Sequence, residues 1–168
     1  TLGQIAGVLA DAGYLTVRYD KRGYGQTGGR AESATISDFA EDLRSVVRYL
    51  ARRKDVDRER IIVLGHSEGA WVALLAASRE KRTAGVIAIA APAITGAELV
   101  LEQQRHQLDQ MKVADAERQA KVELQKKIHQ AVISGEGWED IPQELRKQAD
   151  SASLPSLLLF DPAYVIAR

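Results

Sequence analysis

The sequence predicts an α/β fold in which parallel strands alternate with helices, followed by a helical segment. Short apolar runs rich in β-branched residues recur between amphipathic stretches in the first half of the chain. From about residue 95 the chain is instead rich in Gln, Glu, Lys and Leu at helical spacing. Because strands separated by helices favour a parallel sheet with right-handed crossovers, an α/β unit followed by helices is expected.

The elements of the first half follow from hydrophobic periodicity and from cap residues. Thr35 and Asp38 stand three positions apart, as in a capping box, at the start of an amphipathic helix. Residues 60–65 form a continuously apolar run, of the type that is buried on both faces of a parallel sheet. Four arginines of the helix that begins at Thr35 are expected on a solvated face: Arg44, Arg48, Arg52 and Arg53. The remaining predictions are helices over 2–12 and 68–80, and strands over 14–20 and 85–92.

Long amphipathic helices are predicted from Glu98 to Ser134, with a break near residues 113–115. Two apolar stripes are expected on them: Leu101, Leu108 and Met111, then Ala120, Leu124, Ile128 and Ala131 or Val132. Residues 135–142 are expected to form a loop, 143–150 a short polar helix, and 153–162 a return to apolar character. The chain is thereby divided into an α/β unit over 1–94, a helical unit over 95–160 and a last segment over 161–168.

Composition excludes several classes of function. The formal net charge of +0 at pH 7 gives no electrostatic reason to expect nucleic acid or an anionic membrane as a partner. No apolar run approaches the length of a membrane span. The absence of cysteine excludes disulfides, thiolate nucleophiles and cysteine-based zinc sites. No cluster of His, Asp and Glu has metal-ligand spacing either, so we predict no metal and no cofactor.

The motif GHSEG, at residues 65–69, matches the pattern G-x-S-x-G. In such a motif the serine lies on a strained strand-to-helix turn that lifts its hydroxyl above the sheet edge. The motif follows a buried strand and precedes an amphipathic helix, as this chemistry requires. Ser67 is therefore a candidate nucleophile, and the backbone N–H of Glu68, at a helix N-terminus, is a candidate donor to an oxyanion. Gly65 and Gly69 are expected to leave room for the strand and the helix to approach. The simpler alternative is a tight turn without catalytic function.

A second glycine-rich stretch matches the dinucleotide fingerprint G-x-G-x-x-G at Gly23, Gly25 and Gly28. That fingerprint requires a helix to open within the motif, whereas the next predicted helix begins only around Thr35. The strand that follows ends in glycine rather than in the acidic residue that would hold a ribose. We therefore interpret this stretch as a structural loop.

Together, YDKRGYGQTGG and LGHSEGA resemble the α/β-hydrolase superfamily, in particular its bacterial branch of serine hydrolases and esterases. In that family a D-x-R-G-x-G-x-S turn ends the fourth strand, and Asp20, Arg22, Gly23 and Gly25 match it. Thr27 stands where serine is usual. The resemblance covers essentially the whole chain and implies a nucleophile elbow at the motif 65–69. It also implies that residues 1–94 belong to the hydrolase core, 95–160 to a helical cap, and 161–168 to the return into the core.

The resemblance also implies that the chain is an internal part of a longer protein, spanning about strand 4 through the cap. The first three strands would precede Thr1, and the catalytic acid and then the histidine would follow Arg168. On this interpretation the piece by itself is inactive and poorly stable, because its sheet edges stay unpaired. Without the N-terminus, the bacterial cytoplasm and export from it both stay open.

Four other residues could be assigned to the site, and each has a simpler interpretation. His106 and His129 lie among Gln, Lys and Arg on amphipathic helices, as solvated histidines do. His66 neighbours Ser67, but successive side chains on such a turn point in different directions. Asp161 ends an apolar run as the acid would, yet no histidine follows it, so we assign it to the return from cap to core.

The expected function is that of a serine hydrolase acting on a small-molecule acyl substrate through an acyl-enzyme. The sequence leaves an ester, a thioester and an amide open as the substrate, and it leaves the oligomeric state open. The alternative is a non-catalytic binding or interaction module on a degenerate α/β-hydrolase fold, since no base or acid is identified in the chain.

Overall fold

A computed structural model describes residues 1–149 and 151–167 of the chain. No helix in this described part is long and apolar enough to cross a membrane. The helices of the first half are α1 (Leu2–Asp11), α2 (Ile36–Leu50) and α3 (Glu68–Arg79), and the strands are β1 (Ile61–His66) and β2 (Thr83–Ile89). The later helices are α4 (Gly96–Gln110), α5 (Asp115–Ser134), α6 (Gln143–Ala149), α7 (Ser153–Leu158) and α8 (Pro162–Ile166), with a single 3₁₀ turn at Trp138–Asp140.

The sheet is parallel, as predicted, and α3 is the crossover between its strands. Ile61 lies opposite Thr83 at one end of the register and His66 opposite Ile89 at the other. Alternate residues of β1 are buried, and these side chains pack against α2 and α3. The prediction of an α/β fold is therefore confirmed, in a form consistent with part of an α/β-hydrolase fold.

The predicted strand at 14–20 is wrong for the structure of this chain. Within the described residues this segment forms no ladder with β1 or β2, and an extended segment without a neighbouring strand is not a β-strand. The segment follows α1 closely: Tyr14 N–H donates to the Leu9 carbonyl, and the Thr16 hydroxyl to the Ala6 carbonyl at 3.4 Å. Its large apolar and aromatic side chains are exposed: Tyr14, Leu15, Val17 and Tyr19.

Trp71 is the centre of the largest buried cluster. It is fully buried on α3, its indole N–H donates to the Pro92 carbonyl at 2.8 Å, and its ring stacks on Phe160 with centroids 4.8 Å apart. β2 ends at Ile89 rather than running to Pro92, because Ala90 turns the chain with a φ of 48°. The indole therefore joins α3 to the segment that follows β2 and to the segment that precedes α8.

One of the four arginines expected on a solvated face makes a partly buried ion pair. Arg48 on α2 donates to the carboxylate of Glu80 at 3.0 Å, and Arg82 donates to its other oxygen at 2.8 Å. Glu80 is only 4% exposed. Burial raises the pKa of this carboxyl, but the hydrogen bonds from Arg82 and Arg48 outweigh burial and hold the pKa below its usual value. The pair therefore ties α2 to the end of α3.

The helices after residue 95 break where the sequence predicts, between α4 and α5, and the two pack against each other. The predicted stripes are only partly correct. Met111 is 64% exposed, because it lies after the last turn of α4, beyond the contact with α5. His129 was expected at the surface but is buried on α5, where Ile128 and Ala131 are buried as well. Residues 153–162, for which the sequence predicts only apolar character, contain α7 and the first residue of α8.

Candidate active site

Ser67 lies on the turn between β1 and α3 in a backbone conformation that L-residues rarely adopt. Its φ is 54° and its ψ is −123°. A non-glycine residue held in such a region costs about 1–3 kcal/mol. The surrounding sheet holds it there, since Ser67 N–H donates to the Ile89 carbonyl at 2.9 Å. A serine at the start of a helix usually accepts a hydrogen bond from a backbone N–H of the first turn. Within the described structure, the Ser67 hydroxyl makes no such capping hydrogen bond to α3.

Gly65 is what allows β1 and α3 to meet so closely. A Cβ built on Gly65 would overlap the carbonyl of Gly69 at far less than van der Waals distance. A Cβ on Gly69 would meet no atom of the described chain within 4 Å. The expectation that both glycines make room therefore holds at Gly65 and is wrong at Gly69. Gly69 contributes only its backbone carbonyl to the close approach, so a residue with a side chain could make the same contact.

The N-terminus of α3 offers N–H groups beside Ser67. The first N–H groups of a helix have no acceptor within the helix, and they carry its positive partial charge. Glu68 is the first residue of α3, and its N–H has no backbone acceptor in the described part of the chain. This N–H is chemically able to bind a developing negative charge on a substrate bound at Ser67.

No hydrogen bond joins a histidine to Ser67 in the parts of the chain that the structure describes. His66 ends β1 and is exposed, on the strand face opposite to that of Gly65. The ring of His106 contacts the side-chain amide of Gln110 at 3.0 Å on α4. His129 is buried on α5, and burial lowers the pKa of its imidazole.

Asp161 has a local structural role. Its carboxylate accepts the N–H of Ala163 at 2.9 Å and thereby caps α8. The helix begins with Pro162, which is favourable in the first turn. Pro162 and Val165 are buried, and α8 packs on α3. A role for Asp161 in capping accounts for its place after an apolar run.

The glycine-rich turn at 20–30 is held by its own hydrogen bonds. The Asp20 carboxylate accepts the N–H of Gln26 at 3.2 Å, and the Asp20 carbonyl accepts the hydroxyl of Thr27 at 2.7 Å. A Cβ on Gly25 would overlap the Asp20 carboxylate, so glycine is required there. Arg22 binds Asp42 on α2 through two hydrogen bonds of 2.7 and 2.5 Å. The next helix begins only at Ile36, as expected for a structural loop.

Lys21 is a site residue that the sequence reasoning missed. Its ammonium lies 3.8 Å from the Glu68 carboxylate, 4.7 Å from the ring centroid of Tyr24 and 5.1 Å from that of Phe39. The position of Lys21 directly after Asp20, in the turn that the family resemblance highlights, was the available signal. Nothing in a single sequence pairs Lys21 with Glu68.

A cavity of about 240 Å³ borders Glu68. Its walls come from the start of α2 and from the segment around α7, and the Ile36 N–H donates to the Ser156 hydroxyl at 3.0 Å between these helices. Most of the lining is apolar, with Glu68 as its charged member among the described residues. The lining residues are Ala34, Ile36, Phe39, Glu68, Ser151, Ser153, Leu154 and Leu157.

A comparison with protein families decides the family of this chain. The model of the family described as serine aminopeptidase, S33, matches residues 1–160. The chain belongs to this family. The S33 family is one of α/β hydrolases, so the resemblance carried by the turn at 20–30 and the motif at 65–69 is confirmed. Among residues 1–149 and 151–167, no group of three or more His, Cys, Asp or Glu side chains could hold a metal ion.

Curated relatives of known name are distant. The chain is 37% identical over 89 residues to the esterase EstD of Thermotoga maritima, which is 53% of this chain and 21% of that protein. It is 33% identical over 90 residues to the polyketide transferase ATR5 of Stachybotrys chlorohalonatus, 53% of this chain and 30% of that protein. The matched part thus spans less than a third of either relative. No solved structure matches the chain significantly.

Proposed function

We propose that the protein containing this chain is a serine hydrolase that cleaves a carboxylic ester, thioester or amide through an acyl-enzyme. The observation that carries the proposal is the strained conformation of Ser67 between β1 and α3. Strain of this kind persists where the surrounding structure over-determines it, and it is typical of functional sites. Membership of the S33 family and the similarity to an esterase support the same chemistry.

In the proposed mechanism the Ser67 hydroxyl oxygen attacks the substrate carbonyl carbon and loses its proton to a general base. The carbonyl π electrons move to the oxygen, and the Glu68 N–H donates a hydrogen bond to that oxyanion. Collapse of the tetrahedral intermediate expels the alcohol, thiol or amine, which takes the proton, and water then hydrolyses the acyl-enzyme. In keeping with the chain order of the family, we propose that the base and its acid lie beyond Arg168; His66, His106 and His129 make no hydrogen bond to Ser67 in the described structure.

We further propose that residues 1–94 are core, 95–160 a cap and 161–168 the return to the core. The support is the packing at residues 96 and 160, where the Gly96 N–H donates to the Phe160 carbonyl at 2.9 Å. The cavity between α2 and α7 would then hold the apolar group of the substrate. A volume of about 240 Å³ is below the range of about 300–1,000 Å³ that is usual for drug-sized ligands, which favours a small acyl group.

The test is covalent labelling of the full-length protein with a fluorophosphonate. Attack by a catalytic serine forms an oxygen–phosphorus bond and expels fluoride, and peptide mass spectrometry locates the adduct. We expect the adduct on Ser67, its loss in Ser67→Ala, and unchanged labelling in Ser78→Ala, a serine of α3 whose hydroxyl bonds the Leu75 carbonyl. Folded full-length protein that takes no label would overturn the proposal.

The second candidate is a non-catalytic binding module on the same fold. It is favoured by the absence of a histidine bonded to Ser67 among the residues that the structure describes. A binding module would leave the fluorophosphonate unreacted and would still bind a non-hydrolysable ester analogue, with a dissociation constant that Ser67→Ala leaves unchanged. A hydrolase would react, and steady-state rates with a p-nitrophenyl ester and an aminoacyl p-nitroanilide would then separate an esterase from an aminopeptidase.

A further inference from the structure

Glu68, which follows Ser67 and lines the cavity, is paired with the opposite charge of Lys21. Lys21 belongs to the glycine-rich turn, and Glu68 follows Ser67 on the elbow, so the pair connects the two motifs of the sequence. The side chains are 47% and 45% exposed, and Nζ lies 3.8 Å from the Glu68 carboxylate. An exposed pair of this kind contributes little to stability, which points to another reason for its position.

Two aromatic rings restrict where the Lys21 ammonium can lie. Nζ is 4.7 Å from the centroid of Tyr24 and 5.1 Å from that of Phe39, within the range in which ring faces attract a cation. Phe39 is itself a wall of the cavity. The half-exposed ammonium therefore lies near two residues of the cavity wall, Phe39 and Glu68.

Glu68 brings an unusual combination of groups to this cavity. Its N–H is the proposed donor to the oxyanion, and its carboxylate lines the cavity. A negative charge near a developing oxyanion opposes the formation of that oxyanion. A negative charge on a cavity wall also favours the binding of cationic ligands. The charge of Arg22 is already paired, since its Nε and Nη2 donate to the two carboxylate oxygens of Asp42.

We propose that Lys21 is a positioning and specificity-determining residue that neutralises Glu68, so that the cavity beside Ser67 accepts uncharged acyl groups. The proposal rests on the proposed function of Ser67 as a nucleophile. Lys21 acts through Glu68: it holds the carboxylate away from the oxyanion and cancels its field in the cavity. The substrate class that follows is an ester or thioester with a small, neutral, apolar acyl group.

The experiment compares two substrates of equal shape on the full-length protein. They are the p-nitrophenyl esters of a tert-butyl-terminated and a trimethylammonium-terminated acid with the same number of methylenes. For each enzyme, kcat and KM are measured for both esters, and the ratio of the two kcat/KM values reports the charge of the cavity. The variants are Lys21→Met, Lys21→Arg, Glu68→Gln and the double variant Lys21→Met/Glu68→Gln. Lys54→Met, at a lysine remote from the elbow in sequence, is the matched control.

Wild type is expected to prefer the neutral ester. Lys21→Met should lower kcat/KM for the neutral ester about tenfold and raise the relative use of the cationic ester about tenfold, the effect of one uncompensated charge at several ångströms near a surface. The double variant and Lys21→Arg should both return to the wild-type preference, and Lys54→Met should keep it. Rescue by a second substitution separates this effect from misfolding, which Glu68→Gln would not repair.

The outcomes distinguish the two proposals. If Ser67 of the folded wild type takes no fluorophosphonate label and neither ester is cleaved, the proposed function fails. If Ser67 is labelled but Lys21→Met keeps the wild-type preference, the inference about Lys21 is overturned and the hydrolase stands. A Lys21→Met variant that loses activity on both esters equally, without rescue by Glu68→Gln, also overturns the inference.

Discussion

Two regions of the molecule differ in how densely they are packed. The elbow region consists of β1, α3 and β2, and the helical region begins with α4. On α3, six of 12 residues are buried: Ala70, Trp71, Val72, Ala73, Leu75 and Ala76. On α4, which has 15 residues, the buried ones in the described structure are Gly96 and Leu108. The dense packing of α3 on the sheet holds Ser67 in its strained conformation. The same turn without this packing would relax to an unstrained one. A smaller fraction of the residues of α4 and α5 is buried, so we expect these helices to be less tightly held than α3.

The largest loss of stability is expected from Gly65→Ala, in the elbow region. The added methyl would overlap the Gly69 carbonyl, and backbone cannot move aside as a side chain can. We expect unfolding free energy to fall by about 3 kcal/mol or more, measured by urea denaturation. Gly69→Ala, two positions beyond Ser67, is the matched control.

Gly69→Ala adds its methyl on α3 where no atom of the described chain lies within 4 Å. Alanine is the better helix former, so we expect unchanged or slightly higher stability, by up to about 1 kcal/mol. Equal denaturation midpoints for the two alanine variants would contradict the close approach of strand and helix.

Gly96→Ala tests whether the helical region has a close contact of its own. A Cβ on Gly96 would overlap the Leu157 carbonyl, at the point where α4 meets α7. We expect a loss of about 2 kcal/mol, less than at Gly65, because α7 is a short helix that can shift away from α4. Gly7→Ala on α1, with open space around it, is the control and should not destabilise. A loss as large as that of Gly65→Ala would show that both regions are equally rigid.

His129 introduces a pH dependence of the free energy of unfolding in the helical region. Burial lowers the pKa of its ring in the folded state, and its Nε2 has no hydrogen-bond partner in the described structure. The unfolded chain then binds the proton more readily. Stability is therefore fully present above the ordinary histidine pKa of about 6.5 and is lost as pH falls towards the folded value.

The variant His129→Leu should remove this dependence. It should also raise stability at neutral pH by about 1 kcal/mol, because it replaces an unpartnered buried nitrogen with an apolar side chain. Urea denaturation at pH 7.5 and 5.5 measures both effects, with the exposed His106→Leu as the control. An identical loss of stability on acidification in wild type and His129→Leu would exclude His129 as its source.

The smallest expected effects concern the capping boxes of α2 and α4. The hydroxyl of Thr35 caps α2 at 3.1 Å in a partly buried setting, whereas Thr95 caps α4 at 3.4 Å in an exposed one. We expect Thr35→Ala to cost about 1.5 kcal/mol and Thr95→Ala about 0.5 kcal/mol, measured by thermal unfolding. The reverse order would contradict the expectation that α2, which packs on α3, is held more tightly than α4.

Local chemistry made much of this fold predictable. Three predictions depend on residues that are near in sequence, and each was confirmed: the capping box at Thr35, the break between α4 and α5, and the strand before Ser67. The positive φ of Ser67 follows from the motif, because a strand and a helix can meet across one residue only through such a turn.

Several predictions that depended on residues distant in sequence were wrong. Residues 14–20 have strand composition, but a strand exists only where a neighbour completes the ladder. His129 is surrounded in sequence by polar residues and is nevertheless buried, because its exposure is set by the packing of α5 rather than by its neighbours. Arg48 likewise has a partner, Glu80, that lies 32 positions later, just after α3.

The sequence by itself determined the family, the place of the strand-to-helix turn at Ser67 and the start of α2, because these follow from short-range sterics and hydrogen bonds. Only the tertiary structure decided that Gly65 rather than Gly69 is required, that Glu68 lines a cavity, and that Lys21 lies beside it over two rings. These are contacts between residues far apart in the chain. They depend on how whole helices and strands pack, which the pattern of a single sequence does not encode locally.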